Sequence, residues 1–356
     1  FKAAGFDVEL TYSDNETDRQ VNDIQNLISG YATVMSGTDG NYTWNETALA
    51  KDADGKAIIP TTKVNEDGTL TYTIKIANDL TFSDGSKITA KNYVAGVLAN
   101  STAVAAEAGG TANSGKTLVG FNEFKAYDGT NDGAEAGKIT ASKVFKGVRL
   151  VDDYTFEMTL TADYAGYYYS IINAAFSPDP LALYLGAAGD VLTDANGYCY
   201  LNDAFYAKKD GKYTTAAEIT ANLKWNSGLP FSGPYVVSNY DESSKIATLK
   251  LNQAYKGDVR GKATIETVSY IRVVSQTQMD MFQRGEVDVI AGITGADETN
   301  AALKVVSDNP DKYKETHYDR AGYGKLGFRA DFGPTGMVEV RQAIMYTINR
   351  PEFAQT

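Results

Sequence analysis

Apolar residues fall at Val21, Ile24, Leu27 and Ile28, the i, i+3, i+4 spacing of one helix face, and predict a helix over residues 18–28 with Gly30 as its cap. A polar stretch rich in Gly, Asn and Asp runs from there to about residue 60. Beyond the turn at Glu66-Asp67-Gly68 the period changes to two. Leu70, Tyr72, Ile74 and Ile76 alternate with Thr and Lys, the pattern of a half-buried strand. Phe82-Ser83-Asp84-Gly85-Ser86 is a second turn, and Thr89 is a suitable N-cap for a helix carrying Tyr93, Val94, Val97 and Leu98. Residues 109–137 are small and polar and read as loops with short elements. Two runs, 144–150 and 154–160, then flank Asp152-Asp153 as a hairpin that places Tyr154, Phe156, Met158 and Leu160 on one face.

Ser177-Pro178-Asp179-Pro180 interrupts the pattern and is the expected place of a domain boundary. Short strands follow around 247–251 and 265–274, then a helix over 276–284 stopped by Gly285, then a strand over 287–291. This alternation points to α/β architecture. A helix is expected over 337–349, and Pro351 suits the first turn of another, so the end at Thr356 reads as that of a fragment of a longer protein. No repeat of solenoid period is visible.

With 356 residues the chain exceeds one ordinary core and is expected to form two or three domains. A net charge of −12 argues against nucleic acid and against anionic lipid, both of which select Lys/Arg patches. No apolar run approaches the ~20 residues of a membrane helix. Cys199 is the sole cysteine, which excludes an intrachain disulfide or a Cys-based zinc site. The sequence opens at Phe1 with no charged or apolar leader, so an export signal would already have been removed. Its 24 tyrosines offer flat apolar faces with polar tips, suited to clefts that hold varied ligands, although core and sheet packing accounts for most of them.

Several motifs suggest chemistry that their surroundings do not support. Gly110-Thr111-Ala112-Asn113-Ser114-Gly115-Lys116-Thr117 fits the P-loop pattern, but a phosphate cradle needs a buried strand before it and a long helix after it. Neither neighbour reads that way, and the match is taken as coincidence. Asp52-Ala53-Asp54-Gly55 and Asp128-Gly129-Thr130-Asn131-Asp132-Gly133 look like calcium loops. Ile139 stands where the second would need Glu, and Asx-Gly turns explain both. His317, the only histidine, cannot supply a His-rich metal site, and there is no nucleophile elbow. The many carboxylates leave a carboxylate-dependent hydrolase as the enzymatic alternative, without any pair standing out. No metal or cofactor is expected.

Two further segments carry a resemblance. Leu229-Pro230-Phe231-Ser232-Gly233-Pro234-Tyr235-Val236-Val237 leads through a Gly-Pro-Tyr turn into a strand, and Met281-Phe282-Gln283-Arg284-Gly285-Glu286-Val287-Asp288-Val289-Ile290 follows about fifty residues later. Ahead of them stand Leu80-Thr81-Phe82-Ser83-Asp84-Gly85 with Thr89-Ala90, then Gly147-Val148-Arg149-Leu150-Val151-Asp152-Asp153-Tyr154-Thr155, then Phe176-Ser177-Pro178. Val340-Arg341-Gln342-Ala343-Ile344 closes the series. In this order the motifs resemble the family 5 extracellular solute-binding proteins, receptors of bacterial ABC importers. Lys91-Asn92 departs from the acidic pair usual after Thr-Ala, and Arg329-Ala330-Asp331 from the usual Phe-Asn strand.

The resemblance implies a two-lobed α/β clamshell of the periplasmic-binding-protein type (class II), with an additional inserted domain. Mapped here, the first lobe takes 1–40 and 180–270, the inserted domain 41–179, and an incomplete second lobe 271–356, with 269–274 as a hinge strand. A first sheet strand would lie upstream of Phe1. Also implied is a non-enzymatic monomer that captures oligopeptides and hands them to membrane permease subunits, from the periplasm or from a lipid anchor on the extracellular face of the cytoplasmic membrane. An oligosaccharide ligand is the alternative within the family, and a nickel complex is disfavoured by the single histidine. Cleft residues carried over by position are Tyr31, Thr33, Phe231, Ser232, Gly233, Gly292, Ile293, Thr294, Arg329 and Asp331, the last two able to pair with a carboxylate and an amine.

Overall fold

The computed structural model describes residues 7–12, 22–36, 41–224, 227–259, 261–272, 275–293, 295–317 and 326–353. The chain forms two compact units, Phe1–Val273 with Val287–Val289, and Val274–Glu286 with Ile290–Thr356.

The first unit holds two sheets, each over its own core. In the larger, six antiparallel strands run in the order Val191–Thr193, Tyr198–Leu201, Phe145–Asp152, Thr155–Leu160, Leu70–Lys75, Thr61–Val64. Register explains its apolar face: Leu70 lies opposite Leu160, Tyr72 opposite Met158 and Ile74 opposite Phe156, so the residues of one alternation share one side. Helix Ala90–Ala99 covers that side with Tyr93, Val94, Val97 and Leu98. At its start Asn92 Oδ1 accepts the backbone N–H of Thr89 at 2.9 Å, the back-reaching half of a capping box. Asn92 Nδ2 also donates to the carbonyl of Asp179 at 2.9 Å, and Lys91 pairs with Asp190 at 3.0 Å. Both departures from the acidic pair thus tie the helix to the segment after Pro178.

In the smaller sheet the order is Asp7–Tyr12, Thr267–Arg272, Ile246–Leu251, Tyr235–Asp241, with only the first pair parallel. Ala247, Leu249, Val268 and Tyr270 face Ile24 and Ile28 of helix Asn22–Ile28, with Phe231 and Tyr235 closing the cluster.

Several expectations are corrected. Strand Asp7–Tyr12 was not anticipated, and the first sheet strand was expected upstream of Phe1. Strands Val191–Thr193 and Tyr198–Leu201 hydrogen-bond into the six-stranded sheet, so the chain from 180 to 201 does not leave the domain assigned to 41–179. Pro180 is not a boundary but the N-cap of helix Leu181–Leu185. Of the strand expected over 287–291 the structure shows only a β-bridge at Val289, beside the buried Val287.

The second unit contains helices Ser275–Arg284, Ala296–Asp308, Val338–Tyr346 and Arg350–Phe353. Phe282 and Tyr313 pack with ring centroids 4.9 Å apart. No described helix is long and apolar enough to cross a membrane.

Candidate functional site

Four of the ten candidate residues, Tyr31, Phe231, Ser232 and Gly233, lie at one junction in the first unit, and Thr33 follows two residues after Tyr31. Helix Asn22–Ile28 ends against the Gly-Pro-Tyr turn: Gly233 N–H donates to Ile28 O at 2.9 Å, and Gly30 N–H donates to Ser232 Oγ at 3.1 Å. This approach requires glycine, since a Cβ on Gly233 would sit 2.4 Å from Ile28 C and 2.6 Å from Leu27 O. The Ser-Asp-Gly turn joins from 148 residues away: Ser83 N–H donates to Phe231 O at 2.9 Å, and Phe231 N–H donates to Ser83 Oγ at 3.0 Å. Two motifs read separately in the sequence are therefore one built unit.

Tyr31 follows the helix in the left-handed region, at φ 57°, a conformation that costs of order 1 kcal/mol or more for a bulky residue. Its surroundings leave little alternative. Tyr31 OH accepts the Lys256 N–H at 2.8 Å, its carbonyl accepts from Tyr93 OH at 2.9 Å, and its ring lies 5.0 Å from that of Tyr255. Burial pushes the Tyr31 phenol above its ordinary pKa, opposed by the Lys256 amide. Thr33 is fully buried; its Oγ1 donates to Ala174 O at 2.5 Å and accepts from Phe176 N–H at 3.0 Å. The hydroxyls of Tyr31, Thr33 and Ser232 are thus occupied from within the unit, and Phe231 lies in the smaller core.

Sequence reading missed two members of the junction. Asn252, buried, donates from Nδ2 to Gly233 O and from its backbone N to Pro234 O, both at 2.8 Å. Lys256 forms an ion pair with Asp79 and, chiefly by that hydrogen bond, holds the Asp79 carboxyl below its ordinary range. An Asn in an Asn-rich chain carries no signal of this role.

Beside the turn lies a cavity of about 20 Å³ lined by Gln25, Asp179, Tyr184, Leu223 and Phe231 among others, room for one water rather than a ligand. Asp79 and Asp84 are shifted downward, by hydrogen bonds from Lys256 and Ser86, so neither is prepared as a general acid. Lys116 is exposed after the short helix Ala103–Glu107, and the helix that follows, Phe121–Ala126, has six residues, so the P-loop pattern lacks its frame. Asp128 Oδ1 accepts Thr130 N–H at 2.9 Å, an Asx turn.

In the second unit Gly292 has φ 74° and Ile293 is half-buried, while Thr294 lies outside the described residues. Arg329 and Asp331 are exposed and pair with each other at 3.2 Å, with the guanidinium 5.4 Å above the Phe332 ring. Next to them an open depression of about 310 Å³ is lined by Phe328, Val338, Arg341, Gln342, Met345 and Tyr346. Arg341 also donates to the carbonyls of Thr335 and Gly336, at 2.7 and 3.0 Å, fixing the start of its helix.

Known proteins agree with this arrangement at the level of fold. The family described as bacterial extracellular solute-binding proteins, family 5 Middle, matches residues 46–356. Among solved structures the chain is similar to the periplasmic EDTA-binding protein EppA, at 14% identity and a TM-score of 0.61, covering 99% of this chain and 55% of that one. It is also similar to a periplasmic oligopeptide-binding protein, OppAIV, from Borrelia burgdorferi, at 16% identity and a TM-score of 0.58, with 98% and 58% covered. NikZ from Campylobacter jejuni, in complex with Ni(L-His), matches at 12% identity and a TM-score of 0.58, with 98% and 55% covered. This chain thus spans just over half the length of these structures. No curated protein matches it.

Proposed function

The chain belongs to the family 5 bacterial extracellular solute-binding proteins, and from that premise we propose that it captures oligopeptides for an ABC importer. The observation that carries the receptor reading is the family match over residues 46–356. In this reading ligand contacts bias a two-unit equilibrium toward a closed form that the permease subunits recognise. That the chain passes between its compact units at Val273/Val274, Glu286/Val287 and Val289/Ile290 supports a hinge formed by a few short crossings.

Peptide as the ligand class is supported by Arg329 and Asp331, adjacent opposite charges that now satisfy each other at the surface. A zwitterionic peptide presents a carboxylate to the first and an amine to the second, exchanging one exposed pair for two. Direct contact falls in this account to Arg329, Asp331 and the segment Gly292, Ile293 and Thr294. Tyr31, Thr33, Phe231, Ser232 and Gly233 serve within the first unit, as the frame that fixes the backbone around the turn. The similar structures are those of an oligopeptide-binding protein, a protein in complex with Ni(L-His) and an EDTA-binding protein, ligands that all bear carboxylates. An extracellular or periplasmic location follows the family; a lipid anchor and a monomeric state belong to the proposal.

Isothermal titration with fractions of a tryptic casein digest tests the reading. Binding is expected, and Arg329→Ala should weaken it by roughly 10-fold or more, the loss of about one charge-assisted hydrogen bond. Binding unaffected by Arg329→Ala and Asp331→Ala would overturn the assignment of these residues.

A further inference from the structure

Asn196-Gly197 is the one Asn-Gly step in the chain, and nothing in the proposed capture of ligand uses it. It stands at the tip of the hairpin joining strands Val191–Thr193 and Tyr198–Leu201. The backbone of this tip is fully engaged. Asp194 Oδ1 accepts the N–H groups of Asn196 and Tyr198, both at 2.9 Å, and Asp194 O accepts the Gly197 N–H at 3.0 Å. Gly197 adopts φ 86°, and its carbonyl accepts the Leu150 N–H at 2.9 Å. Arg149, paired with Glu157 at 2.8 Å, donates from Nε to Asn196 O at 2.7 Å.

The Asn196 side chain is the exception. It is exposed, and among the described residues its carboxamide has no hydrogen-bond partner. Elsewhere the fold engages this group: Asn92, Asn131, Asn202 and Asn252 each donate from Nδ2 to a backbone carbonyl. A carboxamide without a partner can turn its Cγ toward the following peptide nitrogen, and glycine puts no Cβ in the path of that approach. The Arg149 guanidinium sits on the carbonyl of that same peptide group, and a cation there favours its deprotonated, nucleophilic form. What holds the nitrogen back is its hydrogen bond to Asp194 O, which must open first.

We propose that Asn196 is a site of spontaneous covalent modification, gated by opening of this turn. The Gly197 nitrogen forms a bond to Asn196 Cγ as the bond from Cγ to the side-chain nitrogen breaks. The Gly197 proton passes through water to that nitrogen, which leaves as ammonia, and a cyclic succinimide remains with no change of oxidation state. Water then adds at either imide carbonyl and breaks its C–N bond, giving aspartate or isoaspartate. Aspartate sets a carboxylate beside Arg149, in competition with Glu157. Isoaspartate routes the backbone through the former side chain, and the added carbon displaces Gly197 from its bond to Leu150.

Peptide mapping by mass spectrometry of the chain held at physiological temperature and mildly alkaline pH tests this, with isoaspartyl methyltransferase labelling to count isoaspartate. In the folded chain the peptide covering 190–201 should convert from amide to acid before any other asparagine peptide, that of Asn100-Ser101 included. The rate should rise with pH, and unfolding in urea should raise it roughly 5-fold or more, the population factor of one turn hydrogen bond. Asn196→Gln keeps the backbone bonds of the tip and should abolish conversion there. Hydrogen exchange of the same peptide should quicken as isoaspartate accumulates. Another asparagine converting first in the folded chain, or Asn196 unchanged when the urea sample is fully converted, would overturn the proposal. Equal rates in native buffer and in urea would overturn the gate.

Discussion

Replacing Gly233 by alanine would put a methyl carbon 2.4 Å from Ile28 C, 2.6 Å from Leu27 O and 2.6 Å from Ser29 N. All three are backbone atoms at the end of a helix, so no side chain can swing away to make room. Relief requires the helix end and the Gly-Pro-Tyr turn to part, which stretches the Gly233–Ile28 hydrogen bond of 2.9 Å. Overpacking of this kind costs about 1–3 kcal/mol, and a lost hydrogen bond about 1 kcal/mol more. Against a total stability of roughly 5–15 kcal/mol this is a large share. For a unit of this size it lowers Tm by about 10 °C, at roughly 2–4 °C per kcal/mol. Thermal unfolding followed by circular dichroism gives the global effect. Hydrogen exchange of the peptide spanning 227–241 tells whether the loss begins at the junction. The reasoning is refuted if Gly233→Ala melts within 2 °C or so of the parent, since a clash with three backbone atoms cannot cost less than ~1 kcal/mol.

Three further outcomes follow from the same contacts. Tyr31→Phe removes the acceptor of the Lys256 N–H and should cost about 1 kcal/mol in urea unfolding, near the low end because Lys256 is exposed; an unchanged midpoint would deny that bond any role. The Asp79–Lys256 pair lowers the folded pKa of Asp79 below its ordinary 3.8, so its contribution exists above that value and disappears as pH falls through the lower folded one. A double-mutant cycle with Asp79→Asn and Lys256→Ala should show under ~1 kcal/mol of coupling near neutral pH, both groups being largely exposed, and none once Asp79 is protonated; coupling that grows on acidification would contradict the sign. Burial pushes the Cys199 thiol up to about 12, so iodoacetamide at neutral pH should leave the native chain unlabelled and label it in denaturant, and rapid native labelling would place Cys199 elsewhere.

Much of the first unit was legible because its signals are local. The alternation of Leu70, Tyr72 and Ile74 marks a strand with one buried face, and the Asp152-Asp153 turn with its flanking runs marks its neighbours. Asp7–Tyr12 escaped although Val8, Leu10 and Tyr12 alternate with Asp7, Glu9 and Thr11, because the run is only six residues long. Its parallel partner, Thr267–Arg272, comes some 255 residues later, beyond any local reading. Leu192 and Tyr200 pair in a hairpin that sequence placed in another domain, because Pro178 and Pro180 looked like a linker, while the register with Phe145 and Arg149 is purely tertiary. Tyr31, Thr33 and Ser232 were carried over by position from the resemblance, which does not say where their hydroxyls point. The sequence spacing of a polar residue next to a helix end is the same whether it faces a ligand or a buried carbonyl.

Native mass spectrometry of the chain after incubation with a tryptic casein digest tests the central claim most directly. The account predicts one-to-one adducts whose released ions sequence as short peptides, reduced in the Arg329→Ala variant. Adducts carrying only sugars or metal chelates from the same mixture supplemented with them, or no peptide adduct at any digest concentration, would contradict it.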